Sequence, residues 1–348
     1  MKRPGLRELA AIIGLAAIYF CAGKLGLSLA YVHASASAVW PPTGIAFAAL
    51  LLWGYRLWPG IFLGAFLVNI TTQGSVATTL AVAAGNTLEA LLGAWAIHRF
   101  ANGEKVFERA RNIFRFVVLA PILSTVVSAT LGVTSLTLGG FAQWDRYPAV
   151  WLTWWLGDAV GDLIVAPFLV IWLTQPSPRW KARRVAEAAA LLLSLILVTY
   201  LMFLLGTPVS SEYMMVLPLL WAAFRFGQRG AVTSAFIMSG IALVGTLHGV
   251  GPFAHATANE SLLHLQAFMG TIAIAALVLA SVISEASRAE QRLQVQEAVS
   301  RILAESPALK EACLRSHPST LRTGRMGSGR YLEHRSRYQS IALRRGVA

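Results

Sequence analysis

The feature that most constrains this chain is a succession of apolar runs between residues 9 and 283, separated by short polar connections. A helix needs about 20 consecutive apolar residues to cross a bilayer, and lipid leaves its backbone no hydrogen-bond partner outside the helix itself. Ten segments meet or approach that need: 9–30, 39–53, 58–72, 75–98, 113–138, 148–173, 184–206, 211–224, 230–250 and 262–283. Those at 39–53, 58–72 and 211–224 are short, a length that also suits re-entrant or half-buried helices. The pattern predicts an all-α fold, a polytopic transmembrane helical bundle of about ten apolar segments. An eight-crossing variant, in which some short segments do not fully span, keeps the ends on the same side. A composition of 56% hydrophobic and 13% charged residues excludes the balance of an ordinary water-soluble domain.

A net charge of +13 could suggest a nucleic-acid partner, so its placement decides what it means. Starting inside, alternate connections carry Arg56; Arg99, Lys105, Arg109 and Arg111; Arg179, Lys181, Arg183 and Arg184; Arg225 and Arg229; and Arg288 and Arg292. On the opposite side only Arg146, beside Asp145, interrupts the connections. Cytoplasmic loops carry the Lys and Arg excess, so both termini are expected in the cytoplasm, with membrane lipid and not nucleic acid as the partner of the charge. The 99–112 connection resembles a short interfacial helix.

Lys2, Arg3 and Arg7 ahead of an apolar stretch resemble the start of a signal peptide, and Cys21 invites a lipoprotein reading. Ile18, Tyr19 and Phe20 are too bulky for the small-residue site of a signal peptidase, so an uncleaved first helix is expected. Cys21 and Cys313 lie far apart in unlike surroundings, which argues against a disulfide framework or thiolate metal site. The histidines at 33, 98, 248, 255 and 264 lack metal-site spacing. No metal site is expected, and no nucleotide loop, nucleophile elbow or metalloprotease helix occurs.

Polar residues inside the apolar region need an explanation. Asn69, Asn86, Glu89, Asp158 and Asp162 do not belong on a lipid-facing surface. A carboxylate at membrane depth costs roughly 3 kcal/mol on insertion scales unless protonated, paired or hydrated. Asp158 and Asp162 are four apart and share a helical face; Asn86 and Glu89, three apart, share one with Gly85 and Gly93. Such groups either fasten helices together or form a ligand or proton pocket. Trp151, Trp154 and Trp155 read as an interface belt or as an aromatic wall leading toward Asp158 and Asp162. Arg225 and Arg229 fall at a boundary where snorkelling accounts for them.

Several motifs occur in order: Trp40-Pro41-Pro42-Thr43-Gly44, Trp58-Pro59-Gly60 with Gly64 and Asn69, Gly85-Asn86-Thr87-Leu88-Glu89-Ala90, and Trp154-Trp155-Leu156-Gly157-Asp158 with Gly161-Asp162 and Pro167. Pro218, Trp221, Ala222, Phe224 to Gly227, Gln266 and Phe268 follow. From about residue 8 to 290 the chain resembles the first type of bacterial membrane-associated sensor domain, the MASE family. That resemblance implies a multi-pass input module of a signalling protein in the bacterial inner membrane. Its relatives carry histidine kinase, diguanylate cyclase or phosphodiesterase outputs, often behind a PAS or GAF domain. No such catalytic signature is found here, so the chain is not expected to be an enzyme.

The expected organisation is a membrane sensor domain at 1–283, a cytoplasmic helical connector at 284–312 and an Arg-rich, disordered tail at 313–348. Leu293, Val295, Val299, Ile302 and Leu303 give the connector an apolar face over about two heptads, suited to a homodimer or to an interfacial end. Residues 294–311 resemble the start of a GAF-type domain, which gives way to the tail as a shifted reading frame or disrupted gene would. The expected function is a sensory input module cut short of its output, with an unassigned small-molecule or membrane-protein signal and an unknown cofactor. A small-solute or ion transporter is the alternative, because intramembrane acids and broken short segments also mark transport paths. The candidate ligand or polar-core residues are Asn69, Asn86, Glu89, Trp154, Trp155, Asp158, Asp162 and Arg225.

Overall fold

The computed structural model describes residues 5–28, 30–33, 36–72, 74–176, 181–204 and 214–305. The tail at 313–348 and the end of the GAF-like stretch lie outside the described residues. Among the described residues the α-helices are, in order, α1 Leu6–Ser28, α2 Pro41–Trp53, α3 Trp58–Ile70, α4 Val76–Phe100, α5 Ala110–Val117, α6 Thr125–Leu138, α7 Tyr147–Thr174, α8 Ala182–Leu204, α9 Val216–Leu247 and α10 Ala258–Glu305. A short antiparallel pair, β1 Ala30–His33 and β2 Ala36–Ser37, lies between α1 and α2. Seven stretches among the described residues are long and apolar enough to cross a membrane, and Pro41–Trp53 and Tyr55–Ile70 are shorter apolar helices. The chain is a multi-pass membrane protein.

Three departures from uninterrupted helix have local causes. Pro121 has no N–H to donate, and α5 passes into α6 through a π-helical turn at Val118–Ser124. Gly227 (φ 62°, ψ −147°) breaks α9, and a Cβ on Gly230 would lie 2.5 Å from the Ala222 carbonyl oxygen, so the chain folds back on itself there. This break separates the expected 211–224 and 230–250 segments. The expected interfacial helix at 99–112 is instead a 3-10 turn, Gly103–Glu108, entered through Asn102 in the left-handed region, with α5 already begun at Ala110.

A further departure positions the site. Ser37, the last residue of β2, and Ala38 and Val39 after it are buried and non-helical, yet they lie beside the middle of α7. Their backbone is satisfied by neighbours: Trp40 N–H donates to the Gly157 carbonyl at 3.0 Å, and Gln266 Nε2 on α10 donates to the Ala38 carbonyl at 3.0 Å. Irregular backbone survives at membrane depth only under such protection. Gly157 and Gly161 make the approach feasible. A Cβ on Gly157 would stand 2.5 Å from the Ser37 carbonyl oxygen, and one on Gly161 would run into that of Trp40.

Helix α2 therefore begins part-way through the bundle. Its 13 residues rise about 20 Å, the same as the remaining length of α7. It ends where Tyr55 Oη meets His98 Nδ1 at 3.2 Å, near the end of α4. Other connections gather at that end: Arg115 donates to the Phe100 carbonyl, Gln228 to that of Phe107, Arg229 to that of Gln175, and Arg288 pairs with Glu108 at 3.6 Å. At the other end Lys24 donates to the carbonyls of Val68 and Thr71 and to the Thr72 hydroxyl at 2.8 Å, a cation on the C-terminal end of α3. The Arg-rich connections thus share one end of the bundle.

The bundle unit extends to Arg288, and a second unit begins at Ala289. In the second unit residues 289–305 are helical, with Leu293, Val295, Val299 and Ile302 exposed.

Candidate functional site

Asp158, on α7, is 1% exposed and anchors a network drawn from five helices. Thr43 Oγ1 donates to its Oδ1 at 3.1 Å, bringing α2, whose N-terminal end carries a partial positive charge, against the carboxylate. Ser128 Oγ on α6 lies 3.0 Å from the other carboxylate oxygen and 2.7 Å from Asn86 Oδ1 on α4. Trp154 Nε1 donates to the same hydroxyl at 3.2 Å, and Asn86 Nδ2 donates to Tyr19 Oη on α1 at 2.9 Å.

The Ser128 hydroxyl has one proton and two acceptors within reach. If it donates to Asn86, the short contact with Asp158 needs a proton on the carboxyl. If the Asn86 amide turns over, which exchanges O and N isosterically, Tyr19 donates to Asn86, Asn86 donates to Ser128, and Ser128 donates to an ionised Asp158. The two arrangements differ by one proton and one amide rotation.

Glu89 (2% exposed) and Asp162 (1%) are buried in the field of Asp158. The Ser128 hydroxyl also faces Glu89, Asp162 Oδ1 lacks a hydrogen-bond partner among the described residues, and no ion pair there reaches any of the three acids. Among the described residues no three His, Cys, Asp or Glu side chains converge to hold a metal ion.

Asn69, Asn86, Trp154 and Asp158 line one small cavity with Trp40, Ser37 and Leu27, leaving about 10 Å³ for the centre of a water molecule. That holds about one water and excludes an organic solute in this conformation. Asn69 also donates to the Ala65 carbonyl of its own helix at 2.8 Å. Trp155 and Arg225 stand apart. Trp155 stacks on Trp151 with ring centroids 5.7 Å apart and donates to the Ile122 carbonyl, while Arg225 makes a two-pronged pair with Glu187 at 2.6 and 2.8 Å. The tryptophans therefore divide, with Trp154 on the cavity wall and Trp151 and Trp155 in an outer stack.

The sequence alone does not single out Tyr19 and Ser128 as site residues. A hydroxyl inside an apolar run signals only that a partner exists; which partner depends on packing between helices.

Fold and site together define a multi-pass helical membrane protein with an occluded acidic centre. The MASE1 family model matches residues 9–287, and the chain belongs to that family. It is therefore a membrane sensory input domain of the kind that serves signalling proteins, a non-catalytic role. No curated protein and no solved structure matches the chain.

Proposed function

We propose that the chain is the input module of a bacterial signal-transduction protein in the inner membrane, with its Arg-rich end and both termini in the cytoplasm. In this reading the network around Asp158 is the switch and α10 carries its state outward. The observation that supports it most is the bond from Gln266 to the Ala38 carbonyl, because the same short segment leads through Trp40 into α2 and Thr43, the donor to Asp158. A shift of Asp158 and Thr43 moves the segment that α10 grips. The helical connector beyond Ala289 is read as the route to a cytoplasmic output, with its exposed Val295, Val299 and Ile302 face as a seam for a second copy.

The test joins a diguanylate cyclase domain after residue 308 and compares cyclase output in cells with solute flux in sealed vesicles. Regulated output without saturable flux supports the sensor. The transporter reading draws on the half-length α2 and the non-helical segment beside a buried acid. Saturable uptake abolished by Asp158→Asn, with no effect on the fused cyclase, would replace the sensor reading with it.

A further inference from the structure

Away from the polar centre, α7, α8 and α9 enclose a crevice of about 240 Å³ at the Arg-rich end of the bundle. Ala188, Leu191 and Leu195 form one wall and Ile237, with Thr233, the other. The Thr233 hydroxyl oxygen is engaged by Trp172 Nε1 at 3.0 Å, which leaves the lining almost wholly apolar. Positions 229, 233 and 237 follow one face of α9 for about 12 Å. The outer faces of α8 and α9 beside it are apolar and exposed, including Leu192, Leu193, Ile196 and Phe236, so the crevice borders the lipid-facing surface.

Arg229 closes the polar end. Its guanidinium lies 5.1 Å over the Trp172 ring and donates once to the Gln175 carbonyl, but Nε is buried with no acceptor among the described residues. Arg225 and Arg288 pair with Glu187 and Glu108, whereas among the described residues no carboxylate pairs with Arg229. A partly buried guanidinium without a counter-charge favours an anion, and a carboxylate or phosphate oxygen supplies that charge.

We infer that this crevice is a binding site for an anionic amphiphile, with an acyl chain between α8 and α9 and its carboxylate or phosphate on Arg229. The chemistry is shared by a free fatty acid and by the acyl chain and headgroup of an anionic phospholipid. Binding there would bear on the Gln175–Gln228 contact at 2.9 Å, which joins the end of α7 to the break in α9.

The experiment uses the full chain in nanodiscs with three diazirine-bearing probes: palmitic acid, phosphatidylglycerol and the uncharged palmitic acid methyl ester. Cross-linked residues are mapped by peptide mass spectrometry. The site predicts labelling at 188–195 and 233–237 by at least one anionic probe, and which one labels names the source. Arg229→Gln should reduce that labelling about tenfold, equivalent to about 1.4 kcal/mol, whereas Arg225→Gln should leave it unchanged. Ile237→Trp, which fills the crevice, should suppress labelling with Arg229 intact and covers the case in which Arg229→Gln does not fold. Equal labelling by the methyl ester, or labelling indifferent to both Arg229→Gln and Ile237→Trp, would overturn the inference.

Discussion

Gln266 and Ala38 lie 228 residues apart in the chain and are joined by a 3.0 Å hydrogen bond from the Gln266 amide to the Ala38 carbonyl. That carbonyl belongs to a buried, non-helical stretch, and Ala38 itself is fully buried. Gln266→Leu should therefore cost about 1–3 kcal/mol, the penalty for stranding a buried polar group. Thermal unfolding in detergent checks this, and an unchanged midpoint would mean that the amide is dispensable to the segment.

Ser128 carries more of the network than its size suggests. Ser128→Ala would leave Trp154 Nε1 and one oxygen each of Asn86 and Asp158 without the partner they share. A loss of about 1–3 kcal/mol is expected, and Ser128→Thr, which keeps the hydroxyl, should recover at least half. Equal losses in the two variants would point to packing and not to the hydroxyl.

Three glycines of α7 and α9 allow a sharp comparison. Gly161→Ala would drive its methyl into the Trp40 carbonyl oxygen, whereas Gly240→Ala on α9 would meet nothing within 4 Å. The first should destabilise by about 1–3 kcal/mol as overpacking does, and the second should be neutral or stabilising by up to about 1 kcal/mol. Gly227→Ala should cost about 1–3 kcal/mol for a different reason, its positive φ of 62° with ψ −147°, a conformation that side chains rarely adopt. Unfolding curves on the three variants would separate the mechanisms.

These contrasts mark what was legible in the sequence. The i,i+4 spacing of Asp158 and Asp162 was readable, as was the anomaly of Asn86 and Glu89 in apolar surroundings. The Arg-rich connections could be grouped by charge alone, and the structure brings them to one end. The other members of the Asp158 network were not readable, because a threonine, a serine and a tyrosine among apolar residues each have many ways to be satisfied within their own helix. The break before α2 was also hidden. Residues 39–53 announced a short segment, but its start beside the middle of α7 depends on Gly157 and Gly161, more than 100 positions later. Arg225 was readable as a boundary residue, and its pairing with Glu187 takes it away from the acidic centre.

Orientation is open to an independent check. Single cysteines at Lys105 and Arg183, on the Arg-rich end, should resist a membrane-impermeant maleimide in intact spheroplasts and react after lysis. A cysteine at Trp144, in the connection between α6 and α7, should react in both. The reverse pattern would place the Arg-rich end outside.

The central claim is that the state of Asp158 reaches α10 through the segment that Gln266 holds. Its most direct test is a double-mutant cycle on the cyclase fusion, measuring basal output for wild type, Asp158→Asn, Gln266→Leu and the pair, with folded protein verified in each. Coupled groups are non-additive, whereas independent ones add within about 0.5 kcal/mol. The account predicts that Asp158→Asn alone shifts output and that the shift disappears once Gln266 is replaced. The same shift with Gln266 present or absent, or no shift from Asp158→Asn in a folded fusion, would contradict it.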